Sequence, residues 1–196
     1  MQINSLEQLI KVLSRLPGLG PKSAKRIAIF LIQNKEEMLK FANLLDQTAN
    51  EIKTCNICAN IDVSDPCNIC TDSKREVNTL CVVENISDLW AIEKSKTYKG
   101  LYHVLRGTLS AIDGRTPKDL NIDNIKSRVS TYSINEVIIA TNSNLEGQAT
   151  GHYIAKLLEG SDVKISRLAN GIPIGAELDY IDDGTLALAL KLRHKF

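Results

Sequence analysis

Cys55-Asn56-Ile57-Cys58 and Cys67-Asn68-Ile69-Cys70 form a C-x2-C-x8-C-x2-C array, two matched knuckles within 16 residues. Each knuckle offers two thiolates, and four thiolates suit one tetrahedral Zn²⁺ at a Zn–S distance of about 2.3 Å. With no position left for water, such a site is structural rather than hydrolytic, one Zn²⁺ per chain. The intervening loop, Ala59 to Pro66, carries Asp62, Ser64, Asp65 and Pro66 and has little apolar material of its own. Metal binding would supply the folding energy that it lacks. Redox-active C-x2-C pairs or disulfides are the alternative. Two matched pairs in a chain expected to be cytoplasmic favour metal over both. Cys81 stands apart in an apolar run.

A second set of residues has the chemistry of phosphate recognition. In Leu16-Pro17-Gly18-Leu19-Gly20-Pro21-Lys22-Ser23-Ala24-Lys25-Arg26, two glycines permit a tight hairpin whose backbone N–H groups lie beside a helix N-terminus. Lys22, Lys25 and Arg26 follow on the first turn of the next helix, placed to neutralise phosphates without reading sequence. Residues 1–54 hold eight Lys/Arg against five Asp/Glu, so the excess charge lies here. The plainer reading is a helix-turn-helix corner with solvated lysines. A dinucleotide fingerprint fails for want of a glycine at Ser23 and a strand before Gly18, and a P-loop fails at Pro21-Lys22-Ser23. The Pro-Gly-apolar-Gly pattern followed by Ala24 and Ile27 resembles the helix-hairpin-helix element of many DNA-binding proteins.

The third set sits where strands end. Leu80-Cys81-Val82-Val83 runs into Glu84, and a later strand ends in Ala140-Thr141-Asn142-Ser143-Asn144-Leu145-Glu146. Open α/β sheets place their sites at such ends. The two segments look like the Toprim domain of topoisomerases, primases and related nucleases, whose first strand ends in glutamate and whose later strand ends in Asp-x-Asp, together holding Mg²⁺. The glutamate is present as Glu84, but the aspartate positions are Asn142 and Asn144. A cluster that has lost two charges is a poor host for a hard dication, so no catalytic residue is expected. Asp88 and Glu146 remain as acids near the same face. Glutamate and asparagine at strand ends also commonly cap helices and turns.

These three sets need scaffolds of different kinds. Leu6, Leu9, Ile10, Leu13 and Leu16 recur at helical spacing after Ser5, a candidate N-cap with Gln8 completing a capping box. This helix should stop at Pro17-Gly18. A second, after Pro21, should bury Ala24, Ile27, Ala28 and Leu31. A third, from about Lys35, carries Met38, Phe41, Leu45, Ala49 and Ile52 on one stripe. Beyond Thr79, short β-rich runs at 80–83, 101–105, 137–140 and 163–168 alternate with amphipathic segments at 87–94 and 147–158, which predicts a mostly parallel α/β sheet. No repeat or low-complexity linker separates the parts. The 43% apolar content fits a globular chain, and the formal net charge of +1 announces no polyanion partner for the molecule as a whole. No apolar run reaches the roughly 20 residues of a membrane span, and the first residues lack a secretion signal, so a cytoplasmic location is expected.

Taken in order, the chain resembles the RecR recombination mediator family over nearly its whole length. The resemblance is carried by the order of hairpin, four cysteines and Toprim-like sheet. It also rests on the stretches Val82-Val83-Glu84, Asp88-Leu89-Trp90-Ala91-Ile92-Glu93 and Gly100-Leu101-Tyr102-His103-Val104-Leu105. Thr141-Asn142-Ser143 departs from the family's usual Thr-Asn-Pro without restoring an acid. The tail, Gly171-Ile172-Pro173-Ile174-Gly175 to Asp182-Asp183-Gly184-Thr185-Leu186, follows a family segment sometimes called Walker-B-like, but without a P-loop no nucleotide site is read there.

The implied fold is a multi-part α+β chain. It comprises a helical helix-hairpin-helix DNA-binding region at 1–54, a C4 zinc finger at 55–70, a Toprim domain at 78–173 and a short C-terminal helical tail for oligomerisation at 174–196. The resemblance implies a non-enzymatic, nucleoid-associated protein that binds single- and double-stranded DNA without sequence preference. It further implies a ring tetramer that works with RecO, and RecF where present, to load RecA onto strands covered by single-stranded-DNA-binding protein. Lys22 and Arg26 match the family's DNA-contacting positions, with Lys25 beside them. Glu84, Asp88 and Glu146 are expected to form an exposed acidic patch that receives a RecO-like partner. The rival classes are a Mg²⁺-dependent Toprim nuclease or topoisomerase-like enzyme, and a zinc-dependent adaptor that touches no DNA. His103, His152 and His194 follow no ligand spacing and read as packing or surface residues.

Overall fold

The computed structural model describes residues 4–193, and the chain divides into two compact units, Met1–Ile52 and Lys53–Phe196. Among the described residues, no helix is long and apolar enough to cross a membrane.

The first unit contains α1 (Ser5–Leu13), α2 (Pro21–Gln33) and α3 (Lys35–Glu51). The N-cap of α1 is Asn4 rather than Ser5, its side chain accepting from Glu7 N at 3.0 Å. Regular helix also ends earlier than Pro17-Gly18. From Leu13 the chain tightens into i→i+3 bonds, Arg15 N to Val12 O and Leu16 N to Leu13 O, before the hairpin. In α2, Pro21 takes the first helical position, where its missing N–H costs nothing. Ala24 and Ala28 are fully buried, and these small residues let α1 approach closely enough to bury Leu13, with Leu9, Ile10 and Ile27 packed around. The α3 stripe forms as a helix but is not covered within the unit. Phe41, Leu45 and Ile52 are exposed, as are Leu39 and Leu44. No residue of α3 is buried.

The second unit opens with β1 (Lys53–Thr54) paired antiparallel to β2 (Ile61–Asp62), then α4 (Asn68–Thr71). There follow β3 (Glu76–Val83), α5 (Ile86–Ser95), β4 (Gly100–Val104), α6 (Asn124–Thr131), β5 (Glu136–Ala140), α7 (Leu145–Leu157), β6 (Lys164–Arg167) and α8 (Asp183–Lys191). The four later strands form one sheet of order β4-β3-β5-β6, every neighbouring pair parallel. Buried runs such as Leu80-Cys81-Val82-Val83 are what a parallel sheet covered on both faces requires. Leu80 and Val82 pack with Ile125 and Val129 of α6 and with Ile154 of α7. Cys81 and Val83 pack on the opposite side with Leu89 of α5 and with Ala59 from the cysteine loop. The chain leaves β3 for β4 on one side and returns to β5 on the other, so the topological switch lies between the ends of β3 and β5. Glu84 and Asn142 stand there.

Candidate functional site

The cysteine array is built by two backbone knuckles. Cys55 N donates to Asn60 O at 2.7 Å and Ala59 N to Cys55 O at 2.9 Å, closing the first loop with Ala59 at φ 62°. Cys67 is the N-cap of α4, which turns Cys70 back toward it. The four Sγ atoms lie within 4.8 Å of one another. Cys55 and Cys70 are 3.9 Å apart, and Cys58 and Cys67 3.5 Å. A tetrahedron with Zn–S about 2.3 Å has edges of about 3.8 Å, so the four sulfurs fit one tetrahedral ion. Asn60 N points at Cys58 Sγ and Cys67 N at Cys55 Sγ, at 3.4 and 3.3 Å, which supports negative sulfur. Contact with Cys67 and burial push the Cys58 thiol up to about 12, and its sulfur neighbours also push Cys70 up. A bound dication would reverse that preference. Asp62 and Asp65 are loop ties rather than ligands, accepting from Asn68 N and Asn56 N at 2.8 Å each.

In the first unit, Gly18 adopts φ +77° and nothing lies within 4 Å of where its Cβ would be. The hairpin therefore makes a turn that favours glycine and presents open backbone. Gly20 caps α2 without a side chain, and the first turn holds no acid. The leading N–H groups of α2 are thus free of a side-chain cap, an arrangement that receives phosphate oxygens. Lys22, Lys25 and Arg26 are exposed, and none has an ion-pair partner among the described residues.

At the strand ends the picture departs from an open acidic patch. Glu84 is 4% exposed. Its carboxylate accepts from Asn142 N at 2.7 Å and from Asn142 Nδ2 at 2.6 Å. Asp88, half-buried, reaches back to Asn85 N at 2.9 Å and caps α5. Asn144 caps α7, accepting from Gly147 N at 2.8 Å. Glu146 accepts from Thr108 Oγ1 at 3.3 Å and lies 3.9 Å from the Arg115 guanidinium. Charge remains on the rim at Asp88 and Glu146, while Glu84 is turned inward because an asparagine gives it two donors.

Two polar clusters, one half-buried and one buried, were not read from the sequence. Arg75 clamps Glu93 and also donates to Gly100 O at 3.0 Å, stacking over the Tyr102 ring. Burial would raise the Glu93 carboxyl, but the Arg75 hydrogen bond and charge hold it below the usual range. His103 is fully buried between Asn121 O and Arg128, whose guanidinium also donates to Tyr102 O at 2.6 Å. These pairs are 18 to 26 residues apart in sequence. Only the placement of Arg75 just after the cysteines and of Arg128 inside a short polar helix hinted at them.

Comparison with known proteins bears on all three regions. A family model described as "RecR, helix-hairpin-helix" matches residues 6–49, a Toprim domain model 78–169, and "RecR, C-terminal" 171–194. Recombination protein RecR of Brucella anthropi is 51% identical over 189 residues, 96% of this chain and 94% of that one. The protein of the same name from Chelativorans sp. (strain BNC1) is 49% identical over 192 residues, 97% and 96% of the two chains. That of Brucella melitensis biotype 1 is 50% identical over 189 residues, 96% and 94%. Identity near one half over nearly the whole of each chain means that the chain belongs to the RecR family.

Proposed function

We propose that this protein is a non-enzymatic, DNA-binding mediator of recombinational repair. It acts with a RecO-like partner, and a RecF-like one where present, to let RecA load onto single strands covered by single-stranded-DNA-binding protein. The observation that carries the DNA part is the uncapped start of α2 beneath the Gly18 turn, flanked by Lys22, Lys25 and Arg26, which have no ion-pair partner among the described residues. The same groups contact any backbone, so binding is independent of sequence and falls steeply with salt. Gel shifts on single- and double-stranded DNA across a salt series test this. No shift even at low salt would remove the DNA role and leave an adaptor.

The non-enzymatic part rests on Asn142 facing Glu84 where a Toprim enzyme needs acids to hold Mg²⁺. The rival reading, a Toprim nuclease, predicts Mg²⁺-dependent nicking of supercoiled DNA. The cysteine site holds one structural Zn²⁺, as its sulfur spacing suits. Self-association is supported by the apolar stripe of α3 that its own unit leaves uncovered, with Phe41, Leu44 and Leu45 exposed. A second copy is the natural cover, and a closed ring of four is the expected assembly, measurable as mass in solution by light scattering. Asp88 and Glu146 form the charged rim offered to the RecO-like partner, with Glu84 behind them. The protein works in the cytoplasm at the nucleoid.

A further inference from the structure

We infer that Asn142 is a positioning residue that occupies, with hydrogen bonds, the place a divalent cation would take between Glu84 and the end of β5. The strand-end site is thereby a metal-free lock rather than a weakened metal site. This inference stands whichever macromolecule the protein serves.

Four observations carry it. First, each carboxylate oxygen of Glu84 has its own donor, Asn142 N to Oε1 and Asn142 Nδ2 to Oε2. The two lone pairs of that carboxylate that face Asn142 are thereby taken. Second, the group that Asn142 directs at Glu84 is a donor, whereas Mg²⁺ needs oxygens on every side at about 2.1 Å. Third, the first turn of α7 closes over the pair. A Cβ at Gly147 would lie 2.3 Å from Asn142 O and 2.6 Å from Glu84 Oε1, so glycine alone fits at this turn. Fourth, the cavity of about 330 Å³ beside these strand ends is lined by Asp88, Asn142, Ser143 and Arg167 but not by Glu84.

The bonds join the ends of β3 and β5, residues 58 apart in sequence. Thr141 Oγ1 donates to Gly147 O and Asn144 caps the same turn, so Glu84 fixes a mouth whose other members are already tied. An aspartate at 142 would set two carboxylates within hydrogen-bond distance. That pair needs a shared proton or a bridging cation. One substitution should therefore convert lock into ion site, and a second should convert it back. In Asn142→Asp with Glu84→Gln, the amide and the carboxylate exchange sides at equal net charge.

The test uses zinc-replete full-length protein and Mn²⁺ as probe. Wild type leaves the electron-paramagnetic signal of free Mn²⁺ undiminished, and its melting temperature is the same in chelator-free buffer without added metal, in Mg²⁺ and in Mn²⁺. N142D melts roughly 5–10 °C lower in the chelator-free, metal-free buffer, recovers most of that loss in Mn²⁺, and removes about one equivalent of the free-ion signal. N142D/E84Q regains stability without metal and loses the Mn²⁺ uptake. A purely structural asparagine would give a loss that neither metal nor E84Q relieves. The inference is overturned if wild type binds one Mn²⁺ that E84Q abolishes, or if N142D is as stable as wild type without added metal. It is overturned equally if N142D/E84Q stays as unstable as N142D. Should N142D fold only when Mn²⁺ is supplied, that dependence is itself the expected rescue. Failure of both variants to fold in any metal counts against it.

Discussion

The backbone N–H of Val104 donates to the carbonyl of Cys58 at 2.9 Å, so a cysteine of the metal array closes the outer edge of β4, the edge strand of the parallel sheet. Ala59 and Ile69 from the same loop pack into the core around Cys81, Val83 and Tyr102. The array is therefore not a separable finger. Removing the metal should unfold the second unit cooperatively rather than loosen a local loop, because it opens an unpaired strand edge and a core face together. Elemental analysis should give one zinc per chain. Stripping it should lower the melting temperature by more than about 10 °C, and Cys55→Ser should do the same while altering DNA affinity of the folded fraction little. A chelated protein with an unchanged melting curve would refute the coupling.

His103 supplies a pH dependence with a definite sign. Burial pushes it down to about 4 from 6.5, and the adjacent Arg128 charge acts the same way against the Asn121 hydrogen bond. Between those values the unfolded chain binds a proton that the native state refuses, so stability is full above pH 6.5 and is lost as pH falls toward 4. The loss is on the order of 3 kcal/mol. His103→Gln keeps a donor for Asn121 O and should flatten this part of the stability profile, measured by denaturant unfolding from pH 7 to 4. Equal slopes for both proteins would show that His103 titrates normally.

Lys22→Ala with Arg26→Ala should weaken DNA binding to a similar degree on unrelated sequences. The slope of log K against log salt should drop by about 2, one unit for each phosphate no longer neutralised. Lys25→Ala alone should have a smaller effect. The changed side chains are exposed, so the melting temperature should stay within a degree or two. An unaltered salt slope in the folded double variant would move the DNA site elsewhere.

What was legible in sequence follows from the range of the interactions concerned. The cysteine spacing, the Pro21 helix start and the apolar strands are local, and each could be read from neighbours within a few residues. The α3 stripe was legible as a stripe, but its cover was not, since none of the described residues of its own unit supplies it. Asn142 shows the limit most clearly. Sequence registers that an acid is absent there, whereas only the folded chain reveals that the amide has gained a bond to Glu84, 58 residues away. Arg75 with Glu93 and His103 with Arg128 were hidden for the same reason.

That inward turn of Glu84 changes which acids a partner can meet. Asp88 and Glu146 lie on the rim, half-buried, with their charges only partly engaged by Asn85 N, Thr108 and the distant Arg115. If a basic RecO-like surface docks there, rim charges should act mainly by steering, so their loss appears in association rate rather than in residence time. Alanine is a poor probe at Asp88 because it also removes the cap of α5, at about 1 kcal/mol. Asp88→Asn and Glu146→Gln keep an acceptor and delete only charge. Each should slow RecO association by roughly 3- to 10-fold at low salt and converge on wild type as salt rises. Glu84→Gln, whose side chain is not presented to the partner, should leave that rate within about twofold. Stopped-flow association with and without added Mg²⁺ would decide the matter: equal rates for wild type, D88N and E146Q at low salt would place the partner on another face.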